Sequence, residues 1–173
     1  MHTLSAAGLV LEPLCERHAA LMWPLLSDAR LHIHLDESAP ASLDALQQRY
    51  RRWEAHRVSP DGQAHWLNWV MRVQDHAVGW LQATVQQDGS AWVAYVVGTA
   101  HQGQGLARRG VQALLDHLRR DHRCTRALAQ VEAANGPSIA LLQALGFEPM
   151  AVAPHPLTPT ERVYERRLES PHA

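Results

Sequence analysis

Two short stretches of this chain combine residue types and spacings that suit chemistry. The first is Gln102-Gly-Gln-Gly105-Leu-Ala107-Arg108-Arg109. Glycine tolerates positive φ and keeps side chains out of the way, so backbone N–H groups can converge on one point. A helical stripe follows at Ala107, Gly110, Val111, Leu114 and Leu118, spaced by three and four. The first N–H groups of a helix have no internal partner, and the helix dipole adds positive charge there. A phosphate group is the natural occupant; the plainer reading is a tight strand–helix turn with no ligand. The second stretch runs from Asn135-Gly-Pro-Ser138 to Leu145-Gly-Phe147. Here Asn135 can form an Asx turn and Ser138 can sit in a first helical turn.

The identity of neighbouring residues narrows the phosphate compound. A dinucleotide fingerprint needs glycine or alanine where this chain has Arg108, so that match fails. A P-loop needs a lysine, and the chain contains none.

These stretches must be positioned by strands and helices, and the rest of the chain supplies them. Its 173 residues suit a single domain, 1–173, with one sizeable core. A hydrophobic share of 46% against 19% charged excludes a disordered chain. A net charge of -1 favours neither nucleic acid nor a membrane surface as partner. Cys15 and Cys124 form no C-x-x-C pair and suit a reducing, cytoplasmic setting. The first residues lack the basic start of a signal peptide, and no apolar run approaches the ~18 residues of a membrane span.

Read in order, Gly8–Leu11 is a strand, and Glu16–Ser27 has helical spacing with Pro24 inside, which predicts a kink or two pieces. Residues 31–41 read as irregular. Ser42 caps a helix with its stripe at Leu43, Leu46, Tyr50 and Trp53. Three strands follow, at 65–73, 77–86 and 90–97, joined by short turns into an antiparallel meander. The helix after the glycine turn leads to a strand at 127–131, which predicts a β-α-β crossover. A short helix at 138–145 ends at Gly146, placed for a left-handed cap. Strands at 147–152 and 162–168 close the chain around a Pro-rich loop. The expected order is β-α-α-β-β-β-α-β-α-β-β: an α/β, mixed-sheet fold with helices on both faces.

Gln102-Gly-Gln-Gly105-Leu-Ala107 has the form Gln/Arg-x-x-Gly-x-Gly/Ala, which resembles the acyl-coenzyme-A loop of the GNAT N-acetyltransferase superfamily. Asn135-x-x-Ser138 with Leu145-Gly-Phe147 resembles that family's second motif, about 30 residues on. The element order matches the GNAT acyl-CoA N-acyltransferase fold over roughly residues 8–168. Gly8-Leu-Val-Leu-Glu-Pro-Leu14 further resembles the start of the Rim-type branch, whose members acetylate protein N-terminal amines and whose relatives acetylate small amines.

The resemblance implies a direct transfer from acetyl-CoA to a primary amine, with no nucleic-acid or membrane partner. Gln102, Gly103, Gln104, Gly105, Leu106, Ala107 and Arg108 would hold the diphosphate, with Arg109 able to add charge. Val96 or Val97 would offer an N–H to the thioester carbonyl at a strand that splays, commonly at a bulge. Asn135 and Ser138 would also touch the cofactor. The family's usual proton-donating tyrosine falls at Leu142, leaving Ser138 as the substitute. A glutamate base used in Rim-type relatives falls at Gln130, leaving Glu132 nearby. His34, Asp36, Glu37 and His155 fall in loops bordering the acceptor pocket. His32-x-His34-x-Asp36 has metal-ligand types but no second cluster beside it, so no catalytic metal is expected. Dimerisation is common in the family, but no interface signature stands out. The alternative is a GNAT-fold module that binds acyl-CoA without turnover.

Overall fold

A computed structural model describes residues 1–35 and 38–168, apart from the side chain of residue 34. The chain opens with a hairpin of β1 (Leu4–Ala6) and β2 (Leu9–Pro13), turned at Gly8 with φ +72°. Helix α1 (His18–Leu26) and a 3-10 segment (Ala29–His34) lead to α2 (Leu43–Ala55). Strands β3 (Ala64–Val73), β4 (His76–Gln86) and β5 (Ser90–Val97) form the expected meander. Helix α3 (Leu106–Asp121) connects β5 to β6 (Arg126–Glu132). Helix α4 (Gly136–Ala144), the two-residue β7 (Glu148–Pro149) and β8 (Glu161–Arg167) complete the order.

Four details differ from the sequence expectation. Strand β1 precedes the strand expected first, because Gly8 reverses the chain and pairs Leu4 with Leu11. Pro24 lies inside α1 without splitting it, and the helix ends two residues later. Residues 29–34, partly inside the stretch expected to be irregular, wind into a 3-10 segment whose start is capped by the Asp28 carboxylate. The strand expected at 147–152 shrinks to Glu148–Pro149. Other local signals hold. Ser42 Oγ accepts from Ala45 N at 3.1 Å and caps α2. Gly146, at φ +78°, ends α4 in a Schellman turn: its N–H reaches Gln143 O, and Phe147 N–H reaches Leu142 O.

One eight-stranded sheet runs β1-β2-β3-β4-β5-β6-β8-β7. Each face buries its own core. Leu9, Trp69, Leu81 and Val93 pack under α3 through Val111, Leu114 and Leu118. Val70, Val96 and Trp80 pack under α1 and α2 through Met22, Leu46 and Tyr50. Alternation along each strand sorts side chains between the two.

The sheet is not uniformly joined. Strand β4 pairs with β5 from Val85↔Ala91 to Gly79↔Val97. Strand β6 pairs with β8 from Arg126↔Arg167 to Glu132↔Glu161. The parallel pair β5–β6 holds only at Ser90↔Arg126, Ala91↔Ala127 and Trp92↔Leu128. Beyond Trp92 the two halves part. Their joined end is clamped: Thr125 N donates to Gly89 O at 2.8 Å, and Arg126 donates to Asp88 at 2.7 Å. The Ser90 hydroxyl, the Ser90 N–H and Arg126 hold the Asp88 carboxyl down to about 2. No register break interrupts β4–β5, so the parting needs no bulge in β5; the one register shift between β3 and β4 falls opposite Met71/Arg72, where Val78 is the extra residue on β4.

Gly79 sits where β4 passes β5 most closely. A Cβ there would lie 2.1 Å from Val96 O and 2.6 Å from Met71 Cε. Val96 O belongs to backbone and cannot swing aside. Gly79→Ala is expected to lower stability by about 2–3 kcal/mol, read as a lower urea midpoint at unchanged slope.

Candidate active site

The glycine turn forms the open end of the site. Gly103 and Gly105 adopt left-handed φ of +75° and +70°, and a Cβ at either would meet nothing within 4 Å. Gly105 is the N-cap of α3 and has no side chain to cap it; no acid occupies the first turn. The backbone bond from Arg109 N to Gly105 O, 3.1 Å, closes the first turn. The N–H groups of Leu106, Ala107 and Arg108 therefore lack carbonyl partners within the helix and face outward. Leu106 is buried beneath and anchors the turn.

A cavity of about 660 Å³ opens above these groups. It brings together Gln102, Gly103, Gly105, Leu106, Ala107 and Arg108 with Val96, Val97, Asn135 and Ser138, as the sequence suggested. Gln104 does not line it; its amide turns back toward Ala100 O at 3.5 Å. Arg109 lies instead in a separate groove of about 970 Å³ on the outer side of α3, which shares only Arg108 with the cavity.

The inner end lies where β5 leaves β6. Gly98 N donates to Val78 O at 2.9 Å, and this fixes the hydrogen-bonding phase of β5. By alternation, the Val96 and Ala94 backbones face β4, while those of Val97, Tyr95 and Val93 face the gap. The Val97 carbonyl is met there by the Gln102 amide at 3.1 Å, and its N–H points the same way. A smaller cavity of about 130 Å³ fills the gap between Tyr95 on one side and Gln130, Glu132 and Glu161 on the other. Tyr95, Asn135 and Ser138 line both cavities, so the two adjoin.

Several side chains there carry protons. The Tyr95 hydroxyl lies 2.7 Å from Ser138 Oγ, across the gap. Burial pushes the Tyr95 phenol up, partly offset by the Ser138 contact, so it stays protonated at neutral pH. Leu142, by contrast, is the buried residue of α4 and offers no proton. Asn135 Oδ1 accepts from Ser138 N at 3.2 Å and caps α4. Glu161 accepts from Thr158 N at 2.7 Å and from the Gln130 amide; these bonds, Thr158 first, hold its carboxyl below the usual range. Glu132 faces Glu161 in register and, among the described residues, accepts a long 3.4 Å contact from Thr160.

Tyr95, Glu161 and a mouth group were not singled out from the sequence. At the mouth, Arg30 forms a bidentate pair with Asp28 at 2.9 and 2.8 Å, and Asp28 also accepts from Thr99. Arg30 first and Thr99 next hold the Asp28 carboxyl well below its usual range. The short Asp28-Ala-Arg30 spacing was a visible signal for the pair; the link to Thr99 was not.

Other candidates lie elsewhere. His155 packs against Trp92, ring centroids 5.2 Å apart, and lines neither cavity. His32 Nε2 meets Leu26 O at 2.8 Å. Asp36, Glu37 and the His34 side chain lie outside the described residues. Among the described residues, His2, His117 and Asp121 form a close trio of metal-type side chains near the far end of α3, remote from the gap.

The model of the acetyltransferase (GNAT) domain family matches residues 8–148. The uncharacterized N-acetyltransferase p20 of Bacillus licheniformis is 33% identical over 107 residues, 61% of this chain. The chain spans about 60% of the length of that relative. RimL, a ribosomal L7/L12 alpha-N-protein acetyltransferase solved with coenzyme A, superposes with a TM-score of 0.81 at 18% identity, covering 96% of this chain and 98% of its own. RimJ from Mycobacterium smegmatis, solved with a CoA-disulfide, gives 0.78 at 20% identity, covering 95% and 85%. With the family match spanning most of its length, the chain belongs to the GNAT acetyltransferase family.

Proposed function

We propose that the chain is an N-acetyltransferase that moves the acetyl group of acetyl-CoA to a primary amine by direct attack. One observation carries this reading: an uncapped glycine turn opens onto a gap where two parallel strands part. The diphosphate rests on the N–H groups of residues 103–108. The pantetheine arm lies along the gap-facing edge of β5, where the Tyr95 and Val97 backbones lack a neighbouring strand. The Val97 N–H then faces the thioester carbonyl and stabilises the oxyanion. Of Val96 and Val97, only Val97 presents its N–H on that side.

The amine nitrogen attacks the carbonyl carbon, and the C–S bond breaks as the tetrahedral intermediate collapses. The thiolate takes a proton from Ser138, which Tyr95 replenishes across their 2.7 Å contact. The attacking amine gives its proton to Glu132. Glu132 suits this better than Glu161, whose two oxygens already accept hydrogen bonds. The donors and the base also approach from opposite faces. Tyr95 packs with the α3 core, whereas Glu132 alternates with Val131 and so faces the other side.

RimL and RimJ make a peptide α-amine one candidate acceptor; a small amine is the other. Two free cysteines fit the cytoplasm as its place of work. With hydroxyls and a carboxylate at the gap, turnover is preferred over a binding-only module. Thiol release from acetyl-CoA across an amine panel, run beside a direct binding titration, tests this. Release with at least one amine is expected; tight binding without release for any amine would establish the binding-only module instead.

Gly105→Ala is expected to cost about 1–2 kcal/mol of stability through its positive φ, and so is Gly62→Ala, at φ +73° with equally open space. Only Gly105→Ala should also weaken acetyl-CoA binding, roughly tenfold or more, because its methyl enters the diphosphate cradle. Equal affinities in the two variants would remove the turn from the site. Tyr95→Phe should lower kcat by about 10²-fold while acetyl-CoA still binds in direct titration. An unchanged kcat would remove the tyrosine from the proton path.

A further inference from the structure

With Glu132 as the proposed base, the acceptor would approach on the face of the sheet covered by α1 and α2, and that face holds a separate pocket of about 190 Å³. Its floor is Asn68, Trp80 and Gln82, with Asn68 opposite Gln82 in the β3–β4 register. Its wall is Tyr50 and Trp53 on α2, stacked with ring centroids 5.8 Å apart and 23° between planes, with the Arg49 guanidinium 5.2 Å from the Trp53 ring centroid and His32 also on the lining. Leu35 and Trp80 line this pocket and also the gap cavity that holds Tyr95, Ser138 and Glu132. An amine seated in the gap therefore has this pocket as its next space, past Trp80.

Size and lining define what fits. An apolar cavity of about 150 Å³ accepts benzene. A pocket of 190 Å³ accepts one ring, or one branched aliphatic group, with little room over. Aromatic walls reward a flat apolar group by burial and by stacking. The two amides on the floor can orient one polar substituent.

We infer that the acceptor is a primary amine bearing an apolar group of about one ring in size, held against Trp53 and Trp80. This rests on the acetyl-transfer reading and names the substrate class of that site. The same chemistry could come from a small arylalkylamine or from a polypeptide whose first residue is aromatic or branched. Burial of a phenyl group corresponds to roughly 10–100-fold in kcat/KM over the same amine without it.

The test uses the full chain with saturating acetyl-CoA and follows thiol release. Phenethylamine is set against ethylamine, and a Phe-initiated tetrapeptide against its Gly-initiated counterpart. Preference for the ring-bearing member of either pair, by tenfold or more, supports the inference, and the pair with the larger preference names the source. Trp53→Ala should collapse that ratio toward one. If that variant melts early, Trp53→Leu keeps bulk, removes the stacked ring and should lower the ratio by a smaller factor. Turnover with equal kcat/KM within both pairs overturns this inference and leaves acetyl transfer standing. A ratio unmoved by either Trp53 variant overturns it as well. No turnover with any amine overturns the acetyl-transfer reading, and this inference falls with it.

Discussion

The site depends on a mismatch in strand pairing. Both β5 and β6 are bonded along their lengths to their outer neighbours, but to each other at only three residue pairs. Each half of the sheet is thus satisfied from outside, and the middle can open without leaving either half loose. An ordinary parallel pair would bury its edge polar groups in a continuous ladder. Here those of Val93, Tyr95 and Val97 are turned toward a cavity, where a ligand's amides can serve as the missing strand.

Holding such an opening takes rigid supports at both ends. At the closed end, Asp88, Ser90, Thr125 and Arg126 tie the start of β5 to the start of β6. At the open end, α3 is pinned beneath the sheet by Leu106, Val111, Leu114 and Leu118. Its first turn can therefore stay uncapped and still be fixed in place. The two cores carry the fold's stability, so the gap need carry none of it.

Much of this was legible in the chain because it rests on local signals. The β-branched run 90–97, bounded by Asp88-Gly89 and Gly98, gave its strand to the residue. Ser42 and Gly146 marked helix ends through capping chemistry that acts over a few residues. The glycine turn was visible because only particular residues tolerate its φ. What stayed hidden depends on distant partners. Tyr95 meets Ser138 across 43 positions, and Glu161 reaches the gap only because β8 pairs with β6. Strand β1 exists through its pairing with β2, and three residues are too few to show a period. The parting itself left no bulge in β5 to be read, since it arises from where pairing stops.

The Tyr95–Ser138 bond has a dynamic meaning. One hydroxyl rides on β5 and the other on α4, which follows β6, so the bond spans the two jaws of the opening. Any widening that admits or releases a bulky thioester must stretch this contact past hydrogen-bonding range. On the proton path proposed above, loading and chemistry would be kept apart in time: an ajar cleft would break the Tyr95–Ser138 link, and only a shut one would complete it.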